Sequence, residues 1–175
     1  MKLTSDKERA KDIILAIIEA AGGTFDNKTN LFKAFFHAHL AYAKDNPGFL
    51  STWPIVRMPH GPGIEHFDQL LGELMAEGCL ETKEVSKGQC TAFRFRYLPH
   101  SSRTVNLSAS ELNAVRHGYK SVAGKTASRV SSESHKRAWE AARDGEEMNI
   151  YLDTIDDAEA EQEADRIARL LDGVL

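Results

Sequence analysis

The chain has 175 residues, 42% of them hydrophobic and 27% charged, with 22 Lys+Arg against 26 Asp+Glu and a formal net charge of −4. This is the composition of one ordinary folded domain, or of one domain with a helical appendage, and it excludes a disordered chain. It also argues against wrapping duplex nucleic acid by bulk charge, which needs a basic excess.

The longest apolar cluster, residues 13–18, is far shorter than the ~20 residues a membrane span requires. Acidic Asp6 and Glu8 precede it, unlike the basic start of a secretory signal. The expectation is a cytoplasmic protein with no membrane partner. Cys79 and Cys90 are the only cysteines. Their number and spacing suit neither a zinc site nor a disulfide framework, so two free thiols are predicted.

The first element is an amphipathic helix, because Ala10, Ile13, Ile14, Ile17, Ile18 and Ala21 form one apolar stripe. Ser5 with Glu8 reads as its capping box, and Gly22-Gly23 as its stop. A second helix is predicted over 28–44. Leu31, Phe32, Phe35, Phe36 and Leu40 cover most of its circumference, which implies burial on several sides, and Asp45-Asn46-Pro47-Gly48 ends it. Residues 53–58 read as an extended segment or edge strand, and 59–63 as a sharp turn. Ile64, Phe67, Leu71, Leu74 and Met75 then predict a third helix closed by Gly78. Phe93, Phe95 and Tyr97 alternate with Arg94 and Arg96, which predicts a hairpin turning about Lys87. That pairing would place Glu84 near Cys90 and Cys79 near Phe95.

After a polar connector, Ser108 and Glu111 form a second capping box for a helix carrying Leu112, Val115 and Tyr119. Ser131 or Ser132 should cap a further helix through Arg143, with His135 and Trp139 one turn apart. The last stretch is helical by pattern, with Ala160, Ala164, Ile167 and Leu171 on one stripe. The predicted fold class is mainly α with a small β-hairpin (α+β). A winged-helix-like half (1–99) packs with a helical half (107–143), and 144–175 forms an acidic helical extension.

Chemistry is sparse in this pattern. The third helix presents Glu65, His66, Asp68, Gln69, Glu73 and Glu77 on its polar side, and carboxylates repel phosphates, so reading of DNA by this helix is disfavoured. Arg94 and Arg96, with Lys87, could form a basic wing or simply the solvent face of the hairpin. His37 and His39 lie about 200° apart on a helix and cannot share an ion. No nucleophile elbow, triad or phosphate-binding glycine loop is present, so no catalytic, metal or cofactor residue is nominated. The charge is unevenly distributed: a basic block runs from Arg116 to Arg143, and an acidic one from Asp144 to Asp165. The two can pair within the fold, or one can steer a protein partner of opposite charge.

Three stretches carry a resemblance. They are the aromatic-rich 31–39, the segment 53–63 containing Gly61-Pro62, and the pair of segments 107–112 and 131–139, the latter with Ser-His135-x-x-x-Trp139. In this order and spacing they resemble the Panacea domain, a SocA-like family of bacterial and phage-associated antitoxins, over about residues 29–143. Gly61 and Pro62 match its Gly-Pro motif, and His135 and Trp139 its later one. His60 stands where an aromatic is usual, and Gly63 where a Val-like residue is usual.

The resemblance implies a non-enzymatic protein that neutralises a cognate toxin protein by direct binding, in one branch as an adaptor that delivers the toxin to a protease. Candidate contact residues are Trp53, Arg57, His60, Arg94 and Arg96, together with the acidic C-terminal helix. The four motif residues also have purely structural readings. Pro62 could open the third helix, Trp139 could fill the core, and His135 could pack beside it. The alternative function is a winged-helix DNA-binding regulator acting as a homodimer, and an enzyme ranks third.

Overall fold

The computed structural model describes residues 2–87, 90–99 and 103–156, together with 162, 166 and 169. It is a mixed α+β fold with small antiparallel sheets. Helix α1 (Lys2–Ala20) begins upstream of Ser5, so Ser5 lies inside the helix and does not cap it. Ala10, Ile13, Ile14, Ile17 and Ile18 of its stripe are buried and Ala21 partly so, and Gly22 and Gly23, both at positive φ, end it as expected. Strand β1 (Thr24–Asp26) follows directly, and then α2 (Lys28–Asp45), which opens where Asn27 Oδ1 accepts the Thr29 N–H. Leu31, Ala34, Phe35, Phe36 and Ala38 are all buried, and α2 is the central helix of the fold.

Residues 53–63 do not form a lone edge strand and a turn. They build a hairpin of β2 (Ile55–Met58) and β3 (Gly61–Ile64), in register Ile55↔Ile64 and Met58↔Gly61. Pro62 and Ile64 therefore belong to β3, and α3 (Phe67–Ala76) begins later than the hydrophobic spacing implied. The long hairpin follows as β4 (Leu80–Lys87) and β5 (Cys90–Tyr97). Its pairs are Lys87↔Cys90, Glu84↔Phe93 and Leu80↔Tyr97, so the register is displaced from the one expected about Lys87. The three-stranded sheet has the order β1-β5-β4, with Phe25 opposite Phe95. Cys79 is a buried free thiol; the side chain of Cys90 lies outside the described residues.

Helix α4 (Ala109–Val122) carries the predicted capping box, with both the Ser108 and the Glu111 bonds formed. The single helix expected over 131–143 is instead two. Thr126, not a serine, caps α5 (Ala127–Glu133), and α6 (Arg137–Ala141) starts after a break at 134–136. The acidic stretch is not peripheral where it begins. Arg57 N–H donates to the Glu146 carbonyl at 2.9 Å and Met148 N–H to that of Ile55 at 2.8 Å, which adds residues 145–148 alongside β2. Met148 and Ile150 join the same core, so the expected boundary at 143/144 does not coincide with an edge of that core. The stripe Ala160, Ala164, Ile167 and Leu171 lies outside the described residues. Among the described residues, no helix is long and apolar enough to cross a membrane.

The two halves meet where α2 and α4 touch backbone to backbone. A methyl group at Gly118 would lie 2.3 Å from the Ala34 carbonyl oxygen and 2.9 Å from Ala38 Cβ. Gly72 in α3, by contrast, has nothing within 4 Å of the corresponding position. The substitution Gly118→Ala should destabilise the protein by about 2–3 kcal/mol through overpacking, despite its better helix propensity. Gly72→Ala should stabilise by up to ~1 kcal/mol. Urea unfolding of the two variants checks the pair, and equal effects would contradict the close helix contact.

Candidate functional site

The β2–β3 hairpin lies against α2 on one side and against the α5–α6 turn on the other, and five sequence-nominated residues meet there. Lys33 projects from α2 and is 1% exposed, and its Nζ donates to the Pro62 carbonyl at 2.7 Å. Burial pushes this amine down to about 7, because the charged form loses its hydration. Gly61 sits above it at φ +90°, where an added Cβ would lie 2.6 Å from Lys33 Nζ and 2.5 Å from Ser134 Oγ. Glycine is thus required twice at this position, by backbone conformation and by space. Ser134 is fully buried, and its hydroxyl donates to the Ser131 carbonyl at 2.7 Å.

The second layer is a stack. The His135 and Trp139 rings lie 4.0 Å apart and nearly parallel, at 12°. The break between α5 and α6 brings them face to face, in place of the one-turn helical spacing expected. The Arg57 guanidinium covers the indole, 4.0 Å from the ring centroid. Arg57 also donates to the carbonyls of Trp139 at 3.1 Å and Ala142 at 2.7 Å, and pairs with Asp144 at 2.9 Å. Trp139 Nε1 returns a bond to the Met58 carbonyl at 3.0 Å. Burial, then Lys33, Arg57 and His60, lower the His135 pKa, so the stacked imidazole is neutral. Its Nε2 is buried without a hydrogen-bond partner.

The other nominated contacts are dispersed. Trp53 is a core residue, 8% exposed, with its indole N–H donating to the Glu65 carbonyl at 2.8 Å. His60 is exposed at the hairpin tip, and its carbonyl accepts the Ser131 hydroxyl. Arg94 and Arg96 project from the far sheet and are engaged as forks, Arg94 on Asp26 at 2.6 and 3.0 Å and Arg96 on Glu81. Lys33 and Ser134 stood within the stretches that carry the resemblance, Ser134 as the serine before His135, but neither was nominated as a site residue. The available signal was a lysine set among Phe32, Phe35 and Phe36 on a helix apolar nearly all round.

Two further groups of titratable residues bear on chemistry. His39 is buried, with Nδ1 2.9 Å from the Phe35 carbonyl and Nε2 3.0 Å from Ser51 Oγ, and burial lowers it to about 4. Glu8, Glu73 and Glu77 lie close enough together to share an ion. Lysine and arginine fill that space instead: Lys11 Nζ is 2.7 Å from Glu8 and 2.5 Å from Glu77, and Arg103 is 2.6 and 3.1 Å from the same two. The arrangement is an ion-pair network that ties α1, α3 and the connector together. Comparison of the chain with protein-family models, with curated proteins and with solved structures gives no match.

The buried bases make stability depend on pH in two windows. Unfolded Lys33 keeps its proton up to about 10.5 while the folded amine releases it at about 7. Between these values the unfolded state binds more protons, so stability rises with pH, by at most ~1.4 kcal/mol per unit. Lys33→Met should flatten this rise in urea titrations between pH 7 and 10. His39 is the acid counterpart. The folded ring protonates at about 4 and the unfolded one near 6.5, so stability should fall as pH drops from 6.5 to 4. His39→Gln should reduce that fall, as measured by the same unfolding titration.

Proposed function

We propose that the protein is a non-enzymatic, antitoxin-type binding protein that neutralises a cognate toxin by direct contact. The observation that carries this reading is the meeting of the two motifs behind the Panacea resemblance. Gly61-Pro62 and His135–Trp139, far apart in the chain, close on each other around Lys33. Such a node explains why those residue types occur together. Gly61 leaves room for the lysine and Ser134, and Trp139 holds the hairpin backbone through the Met58 carbonyl. The burial of Lys33 and Ser134 supports binding over catalysis, because a nucleophile or base must reach its substrate. Under this reading the contact zones are the exposed hairpin tip at His60 and, on the separate β1-β5-β4 sheet, the face carrying Arg94 and Arg96. A protease that receives the toxin is a second partner in the adaptor branch.

A winged-helix DNA-binding regulator, acting as a homodimer, is the second reading. It is favoured by the three-stranded sheet in the order β1-β5-β4 beside α1–α3, although the β2–β3 hairpin is inserted between α2 and α3. The acidic polar side of α3, and the engagement of Arg94 and Arg96 by carboxylates, weigh against phosphate contact by the expected elements.

Co-expression with the adjacent gene tests the proposal. If that gene is toxic, the protein should restore growth and co-purify with its product in a fixed ratio. The triple variant His60→Glu, Arg94→Glu, Arg96→Glu should lose rescue while its melting temperature stays within a few degrees of the parent. Rescue that survives this variant rejects the hairpin surface, and a protein that never relieves the toxicity rejects the reading. A salt-steep, sequence-dependent gel shift on the gene's own upstream DNA would favour the regulator instead.

A further inference from the structure

One turn along the same face of α2 from Lys33, a cleft of about 470 Å³ opens between α2, α4 and the α5–α6 turn. His37 and Lys44 of α2, His117 of α4, and Lys125 and Lys136 from the two loops beyond α4 all line it. These five basic side chains come from four separate stretches of sequence. Two acids share the wall. Glu133 is already neutralised by Lys125 at 2.7 Å, and Asp153 turns one oxygen onto the Ala138 N–H at 2.9 Å and encloses the other within the protein.

Several cations among the described residues are matched internally: Arg9, Lys28, Arg57, Arg94, Arg96 and Arg103 each hold a carboxylate. Among the described residues, Lys44 and Lys136 hold no carboxylate at ion-pair distance, though the charge of Lys136 acts on Asp153 across the cleft, and both lysines are exposed there. The same holds for Arg116 and Lys120, which stand on α4 beside the His117–Ser121 stripe that lines the cleft. The field inside is positive. Beyond burial, the influences on His37 are those of Lys136, Lys125, His117 and Lys33, and together they push it down to about 4. Its imidazole is therefore a neutral ring that offers an N–H donor.

We propose that this cleft binds a phosphate group carried by a small molecule. Unmatched ammonium groups in one concavity favour an anion of more than one charge and several oxygens over a single carboxylate. The volume falls in the range of small-molecule sites and leaves space beyond the phosphate for the rest of such a ligand. The site is independent of the toxin-binding reading, since it uses none of the residues on that surface.

Calorimetric titration of the full chain with pyrophosphate tests the site, with a duplex DNA oligonucleotide as the second probe. Saturable one-site binding of pyrophosphate is expected, with the His37 and His117 ring resonances shifting in parallel. The double variant Lys44→Gln, Lys136→Gln should weaken the Kd at least about tenfold, as expected for two lost charge-assisted contacts. Both lysines are exposed, so its circular dichroism and melting temperature should match the parent. Arg94→Gln, Arg96→Gln, outside the cleft, should leave the Kd unchanged. Failure to saturate by about 10 mM pyrophosphate, or a smaller effect of the lysine pair, overturns the proposal. Binding of the duplex without binding of pyrophosphate overturns it too, and assigns the lysines to nucleic-acid backbone instead.

Discussion

The absence of a side chain at Gly118 is the constraint on which the other arrangements rest. It lets α4 settle onto the Ala34 and Ala38 turns of α2 at backbone distance. Successive turns of one face of α2 are organised as a result. Lys33 reaches the Pro62 carbonyl of the β2–β3 hairpin, and one turn on His37 lines the cleft with His117. A bulkier seam would push α4 outward and separate both sets. Packing of this kind transmits displacement because interiors are close-packed and deform little.

The Lys33 node shows why a costly group can persist in a core. An ammonium without water is unfavourable, and the lowered pKa expresses that cost. With or without its extra proton, the amine donates to the Pro62 carbonyl, which would otherwise be a buried strand acceptor without a partner. The same logic applies to His39, held neutral between a carbonyl and a hydroxyl. In both places the polar side chain acts as a strut between a helix and a loop that apolar contact alone would not orient. The Arg57–Trp139–His135 stack works differently. There the cation keeps a carboxylate partner and spends its remaining donors on the carbonyls that end α6.

Legibility in the sequence followed the range of the interactions involved. Helix α2 and the start of α4 were readable because periodicity, Asn46-Pro47-Gly48 and the Ser108–Glu111 box are local signals. Strand β1 was not, since three residues around Phe25 become a strand only through pairing with β5, about seventy positions away. The split of 131–143 into α5 and α6 was obscured by competing serines. Thr126 wins as the cap, and Ser134 turns its hydroxyl inward. Trp53 was nominated as part of the segment 53–63, yet its N–H is consumed by the Glu65 carbonyl inside the fold. The motif residues Gly61, Pro62, His135 and Trp139 were visible individually. Their convergence depends on the hairpin and the helix break, and neither leaves a local trace.

The stack gives the molecule a built-in optical gauge. Of its two tryptophans, Trp53 lies in the core and Trp139 lies between a guanidinium and an imidazole, bonded to the hairpin backbone. An indole in such contact emits according to the charge and distance of its neighbours. Light from Trp139 therefore follows the seating of the hairpin on the α5–α6 turn, while light from Trp53 follows the integrity of the whole core. Local loosening and global unfolding act on different indoles of the same chain, which single-tryptophan variants tell apart without any attached label.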